Sequence, residues 1–374
     1  MDVSTRRRGP MGLVGMGLMV LVAELSLARR ADDYAVSYAH EWRTTGRAAR
    51  LQAKGCDVLC FGDSLAKCGL ALPVFEGMTG LRAYNLAMSA GQAPACYFAL
   101  RRAIDAGSRP KAILVDFKWA PLMVDPILDR YLLPELVGPR DCVDLAWAAR
   151  DGWLLGLLLT EDLLPSARLR NGLRTVALEA LKGLPNDRRQ VAALYRRNWR
   201  MNRGSLLLGP EAPPDVDPID PTLAQPDWAC HPVHAAYVDR FLDLAAAHGI
   251  HVYWMLTPIR PELQAARAAN GSDAAYSGFV RDVQRRYRYV TILDGRGSGF
   301  GRDLFVDRTH LNRRGAVAWT ADVASRVRAD AGDEGLAGRW VDMPRYRDPL
   351  GLPALEDLGD SRVALAREAE GRRR

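Results

Sequence analysis

Short apolar runs alternate with amphipathic stretches along most of the chain, and turn residues separate them. The first apolar run, Asp57 to Phe61, ends in Gly62-Asp63-Ser64-Leu65 and leads into a helix-like segment reaching Gly80. Arg82 to Leu86 reads as a second strand, Ser89-Ala90-Gly91 as a turn, and Pro94 suits the first turn of a helix that runs to Gly107. Lys111 to Phe117 is an unbroken apolar run, the pattern of a strand buried on both faces. The alternation stops from residue 120 to 230, where helices are expected over Cys142 to Leu159 and Arg174 to Lys182. That stretch is too long for a simple loop and reads as a helical insertion. The alternation resumes with an amphipathic helix over His234 to His248 and a strand over Ile250 to Leu256. A helix over Asp273 to Tyr287, a strand over Tyr289 to Leu293 and a last helix to about Ala329 follow.

Strands alternating with helices imply an α/β fold, a three-layer α/β/α sandwich with a parallel sheet of about five strands. The domain is expected over residues 50–330, with the insertion at 120–230. The tail, 331–374, mixes Gly, Pro and charge without a sustained apolar period and is expected to be extended or disordered. Internal repeats are absent.

The N-terminus adds a location. Arg6, Arg7 and Arg8 precede an apolar stretch from Met11 to Ala28, interrupted by Glu24 and a few small residues. Basic residues before such a run mark a secretory signal or signal anchor, here residues 1–32. Ser26 and Ala28 suit a cleavage site, whereas the length nearly suffices to span a bilayer. The expectation is a domain outside the cytoplasm, exported or anchored in the inner membrane; the other reading is a buried N-terminal helix.

Of 374 residues, 48% are hydrophobic and 25% charged, with a net charge of +7 carried mostly by arginine. No nucleic-acid motif accompanies the excess. It fits an acidic partner or an anionic membrane, but most simply a solvated face. The six cysteines form no C-x-x-C pair, which argues against zinc. Cys142 and Cys230 could bridge in an oxidising compartment.

Ser64 follows the first strand, where parallel sheets bind ligands and a strand-to-helix turn exposes a hydroxyl. A serine hydroxyl needs a base within hydrogen-bond reach, and a histidine base needs an acceptor on its other nitrogen. Asp307 and His310, three residues apart after the fifth strand, supply both from one loop.

Three blocks in this order resemble the SGNH (GDSL-type) hydrolase family: Gly62-Asp63-Ser64-Leu65, Asn85-Leu86-Ala87-Met88-Ser89-Ala90-Gly91, and Asp307-Arg308-Thr309-His310 with Leu311, Asn312 and Gly315 behind it. The resemblance covers most of residues 57–329 apart from the insertion, and implies the flavodoxin-like sheet of that family. It implies a catalytic triad of Ser64, His310 and Asp307, and an oxyanion hole from the amides of Ser64 and Gly91. The family's Gly-x-Asn-Asp block is absent: the third strand ends Val115-Asp116-Phe117-Lys118-Trp119. Asp63 and Lys118 are then the residues placed to meet substrate beside Ser64; Lys118 reads alternatively as a surface lysine or a partner of Asp116.

The implied activity is a serine esterase acting through an acyl-serine on an ester of a cell-surface carbohydrate or a small ester, without metal or organic cofactor. Alternatives are an O-acyltransferase modifying an extracellular polysaccharide beside a multispanning membrane acyltransferase, and a silent binding or assembly protein on the same fold. The arginine-rich half of the insertion, Ser166 to Arg203, would favour an anionic glycan or lipid headgroups. His231 and His234, and His248 and His251, lack a third metal ligand. Gly295 to Gly301 lacks a phosphate-loop ending and reads as a flexible approach to the Asp307 loop.

Overall fold

Five apolar segments and a sixth, unexpected one form a single parallel sheet. In the computed structural model, β1 (Val58–Gly62), β2 (Ala83–Asn85), β3 (Ala112–Asp116), β4 (His251–Leu256), β5 (Val290–Asp294) and β6 (Trp340–Asp342) lie in the order β2-β1-β3-β4-β5-β6. The model describes residues 11–35, 37–125, 132–209, 221–331, 337–348 and 355–372. Arg6, Arg7 and Arg8 lie outside them.

The helices in chain order are α1 (Met11–Arg29), α2 (Ala31–Tyr34), α3 (Ser37–Leu51), α4 (Ser64–Gly69), α5 (Leu72–Thr79), α6 (Ala93–Asp105) and α7 (Trp119–Met123). The insertion continues with α8 (Pro139–Ala149), α9 (Gly152–Leu163), α10 (Pro165–Leu181) and α11 (Arg188–Met201). Then come α12 (Pro232–Ala247), α13 (Pro261–Ala269), α14 (Ser272–Arg286), α15 (Arg313–Asp330) and α16 (Leu358–Gly371).

Strand residues point alternately to opposite faces, which sorts the core into two layers. Leu59, Phe61, Ile113, Val115, Val252 and Trp254 pack under α3, α6, α12 and α14. Cys60, Leu114, Tyr253, Met255 and Leu293 pack under α5 and α15. The protein is therefore a three-layer α/β/α sandwich. β2 lies on one side of β1 and β3 on the other, so the winding direction reverses between β1 and β3. Ligands bind such sheets at the carboxyl ends of the strands beside that reversal.

Three expectations change. The sheet has six strands, because Trp340–Asp342 pairs with Ile292 to Asp294 of β5. Three residues are too few for a periodic signal. The tail, expected to be extended or disordered, thus supplies this strand and α16, which is fastened to α11 by Arg197 to Glu356 and Glu368 and by Asn198 to the Glu356 carbonyl. The helix expected over Cys142 to Leu159 is two helices, broken where Arg150 adopts a left-handed φ of 54° and Asp151 caps α9 through the Trp153 and Leu154 amides. All six cysteines are free, Cys142 and Cys230 included.

The arginines of the second half of the insertion largely face acids of this chain. Arg188 meets Glu179, Arg189 meets Asp33, and Arg197 meets Glu356. They hold α11 to the N-terminal helices and the tail, so little of that charge is left for an anionic acceptor.

Candidate active site

β1 ends beside β3 with so little space that Gly62 takes a φ of 135°, and a Cβ there would lie 2.5 Å from the Asp116 carbonyl. Only glycine fits this turn. Asp63 caps α4, its carboxylate accepting from the Leu65 amide at 2.8 Å. Ser64 is consequently the first helical residue, at the carboxyl end of β1.

Far along the chain, Asp307 and His310 reach the same point. Their loop is pinned by Val306 N–H to the His310 carbonyl at 3.0 Å and by Asn312 N–H to the Leu304 carbonyl at 2.9 Å. Asn312 then caps α15 through the Gly315 amide at 3.0 Å. Ser64 Oγ lies 2.7 Å from His310 Nε2, and His310 Nδ1 lies 2.6 Å from Asp307 Oδ2. The other carboxylate oxygen accepts the Thr309 and His310 amides at 2.7 and 2.8 Å. An anionic acceptor at Nδ1 places the ring proton there and leaves Nε2 to accept from the serine. Burial alone would raise the Asp307 carboxyl, but the His310 hydrogen bond and charge and the two amides outweigh it and hold it well below the usual carboxylate range. A hydroxyl, a base and an oriented acceptor in series can deprotonate the serine as it attacks an electrophile.

The resemblance gives Gly91 an amide of the oxyanion hole. Its N–H donates to the Met88 carbonyl at 2.8 Å, closing a turn in which Ala90 takes a φ of 57°. That amide is already paired within the turn. Glycine is required there by close approach, since a Cβ would lie 2.6 Å from the Gly62 carbonyl. The Ser64 amide has no partner among the described residues.

Ser64 opens into a cavity of about 480 Å³, lined among others by Tyr38, Gln92, Lys118, Met123 and Val124. Gln92 was not singled out in the sequence. It is only 3% exposed, and its side-chain amide makes no hydrogen bond among the described residues. An amide that faces the cavity beside the Ser64 hydroxyl is free to donate to a bound molecule. Nothing in the sequence marks it beyond its place after the Gly91 turn.

Lys118 pairs with Asp63 at 3.8 Å, and not with Asp116. Both residues line the cavity, and they pair with each other there. Burial pushes the Asp63 carboxyl up, with the Lys118 charge and the Leu65 amide opposing it. Burial and then the Asp63 charge push Asp116 up too, while Thr257 Oγ1 donates to it.

A second omission is α3, read from sequence as a mere lead-in. Glu41 accepts the Ser89 amide at 2.7 Å and Trp42 Nε1 donates to the Ser89 carbonyl at 2.9 Å. Lys67 of α4 lies 3.8 Å from the same Glu41 carboxylate. One helix therefore braces both the turn before Gly91 and the helix that carries Ser64.

The remaining sequence candidates are structural. His234 is buried, with Nε2 2.7 Å from the Val124 carbonyl, and burial lowers its pKa to about 4. Gly295 packs against Trp319, where a Cβ would come within 2.5 Å, so the expected flexible approach begins in a tight contact. Among the described residues no cluster of three or more His, Cys, Asp or Glu could hold a metal. No protein-family model matches the chain, and no curated protein matches it at a significant level.

Proposed function

We propose that the protein is a serine acyl-transfer enzyme of the SGNH kind, working through a covalent ester on Ser64. The observation that carries this reading is the hydrogen-bond series Ser64–His310–Asp307, at 2.7 and 2.6 Å. Its place at the carboxyl end of β1, and a β2-β1-β3-β4-β5 order of the flavodoxin-like type, support it.

Ser64 Oγ attacks the ester carbonyl while its proton passes to His310 Nε2. Asp307 stabilises the imidazolium that results. The Ser64 amide and the Gln92 side chain donate to the oxyanion, in place of the Gly91 amide and the missing asparagine. Collapse expels the alcohol, which takes the proton from His310. His310 then deprotonates water, or a sugar hydroxyl where the enzyme transfers, and that oxygen takes the acyl group and frees Ser64.

The proposed setting is the outer side of a membrane, with an acylated surface carbohydrate as substrate. Gly12–Arg29 is long and apolar enough to cross a bilayer, and none of it is buried against the domain, although a cleaved signal has the same character. Intact-mass analysis after a fluorophosphonate tests the chemistry. One adduct should form on the native chain, none on Ser64→Ala, and only slowly on His310→Ala. An unlabelled native chain, or labelling that survives Ser64→Ala, rules the reading out.

A further inference from the structure

The insertion exposes apolar side chains that a water-facing surface does not ordinarily carry. Trp147 is 82% exposed, Trp153 73% and Leu163 68%, and Val143 and Leu164 stand open beside them. On α8 the outer stripe is Arg140, Val143 and Trp147, at helical spacing, with exposed Arg150 just past its end. On α9 it is Trp153, Gly156, Thr160 and Leu163, without a charge. A shallow cleft of about 470 Å³ lies where the two helices meet, walled by Val143, Trp147, Arg150 and Leu155. Contiguous apolar patches of this kind mark surfaces that are covered in use.

Three features identify the cover. First, the patch is continuous with the one helix, among the described residues, long and apolar enough to span a bilayer. The Ser166 amide donates to Glu24 of α1 at 2.9 Å, and Ser166 lies just beyond Leu163 and Leu164. The outer end of α1 and the end of α9 therefore meet. Second, tryptophan is the residue that settles at the boundary between acyl chains and headgroups. Third, Arg140 and Arg150 flank the apolar pair Val143 and Trp147 and make no ion pair among the described residues, in a chain where most insertion arginines are paired. Arginines beside an apolar stripe can reach anionic headgroups while their stems lie on the chains.

We infer that the α8–α9 hairpin is a membrane-resting platform that sinks Trp147, Trp153, Val143 and Leu163 into the interface of a bilayer containing anionic phospholipid. The inference rests on the reading of α1 as a membrane segment and does not need Ser64 to be active. The platform turns a single anchor into two contacts, and so fixes how the domain faces the membrane.

The tryptophans themselves provide the test. Of nine in the chain, Trp42, Trp119, Trp199, Trp228, Trp254 and Trp319 are buried and Trp340 is half-buried, which leaves Trp147 and Trp153 as the exposed pair. The full chain is mixed with vesicles of phosphatidylcholine and phosphatidylglycerol, with or without brominated phosphatidylcholine, and its flotation and emission are read together. Bromolipid should quench the native chain strongly. Trp147→Phe/Trp153→Phe should still float yet lose the quench severalfold, and Arg140→Gln/Arg150→Gln should weaken it. A chain that floats without bromolipid quenching overturns the platform, whether the two tryptophans then remain open to aqueous acrylamide or are shielded by another protein. Quenching that is independent of phosphatidylglycerol overturns the role of the arginines. A chain that fails to float overturns the platform together with the α1 reading, and leaves the fluorophosphonate result untouched.

Discussion

Replacing Lys118 by methionine isolates a buried charge pair beside Ser64. Lys118 and Asp63 lie 3.8 Å apart with side chains 8% and 3% exposed. At an effective dielectric of about 20, that separation corresponds to about 4 kcal/mol of attraction. Removing one partner of a buried pair costs about 3–5 kcal/mol, so Lys118→Met should lose stability on that scale. The loss has a pH signature. Burial already raises the Asp63 carboxyl, and without Lys118 it is raised further. A carboxyl whose folded pKa exceeds its unfolded value binds more protons when folded, so stability falls as pH rises. The penalty should therefore be smallest at mildly acidic pH and grow as pH rises. Asp63→Asn/Lys118→Met keeps an oxygen that can cap the Leu65 amide and removes both charges. It should recover most of the loss, to within about 1 kcal/mol of the native chain, with little pH dependence. Urea unfolding of the three proteins from mildly acidic pH upward reads all of this. A double variant as unstable as the single one, or a penalty that shrinks as pH rises, would refute the reasoning.

Gly91→Ala forces a Cβ to 2.6 Å from the Gly62 carbonyl and should cost about 1–3 kcal/mol in urea melts, with a matching loss of aryl-ester turnover; unchanged melts would show that the loop yields freely. Gln92→Ala should lower kcat roughly 10²–10³-fold with little change in KM, if its amide meets the oxyanion; a lowered affinity at constant kcat would assign it to substrate binding instead. His234 titrates at about 4 when folded and near 6.5 unfolded, so stability should fall as pH drops through that window, by about 3 kcal/mol in all. His234→Gln should flatten that limb of the pH–stability curve; a limb of the same size in the variant would assign it to other groups.

The sequence disclosed those parts of the molecule whose signals are local. Each long strand was an apolar run, and Ser64 stood at the end of one; Asp307 and His310 stood together on one loop, which begins after β5 and reaches back across β4 and β3 to meet it. Pairings made across the fold were illegible. Glu41 and Trp42 clasp Ser89 from 48 and 47 residues away, and no periodicity announces such a contact. β6 is three residues long and is stabilised by its neighbour β5 rather than by its own composition. Gly91 was recognised as special, but its close approach to Gly62 and the turn its amide closes depend on where β1 ends in space. The arginines of α11 looked like a surface in search of an anion because Asp33 and Glu356, which neutralise two of them, lie more than 150 residues away.

The clasp of α3 on the Ser89 turn also sets a leash. Arg29 ends α1, and Tyr38, on the wall of the cavity, comes nine residues later. Nine residues span at most about 30 Å even when fully drawn out, and the short helix α2 consumes part of that reach. The helix carrying Tyr38 cannot pay out more chain, because Glu41 and Trp42 are engaged in the scaffold of the site. If α1 is embedded as proposed, the mouth of the cavity stays within that radius of the bilayer, and the proposed acyl donor and acceptor would have to meet it there. Proteolytic release beside Arg29 would free the domain with α2 still docked, since Ala31 and Ala35 lie in its core and Asp33 pairs with Arg189. A cut after Trp42 would instead remove a wall of the cavity and the brace behind it.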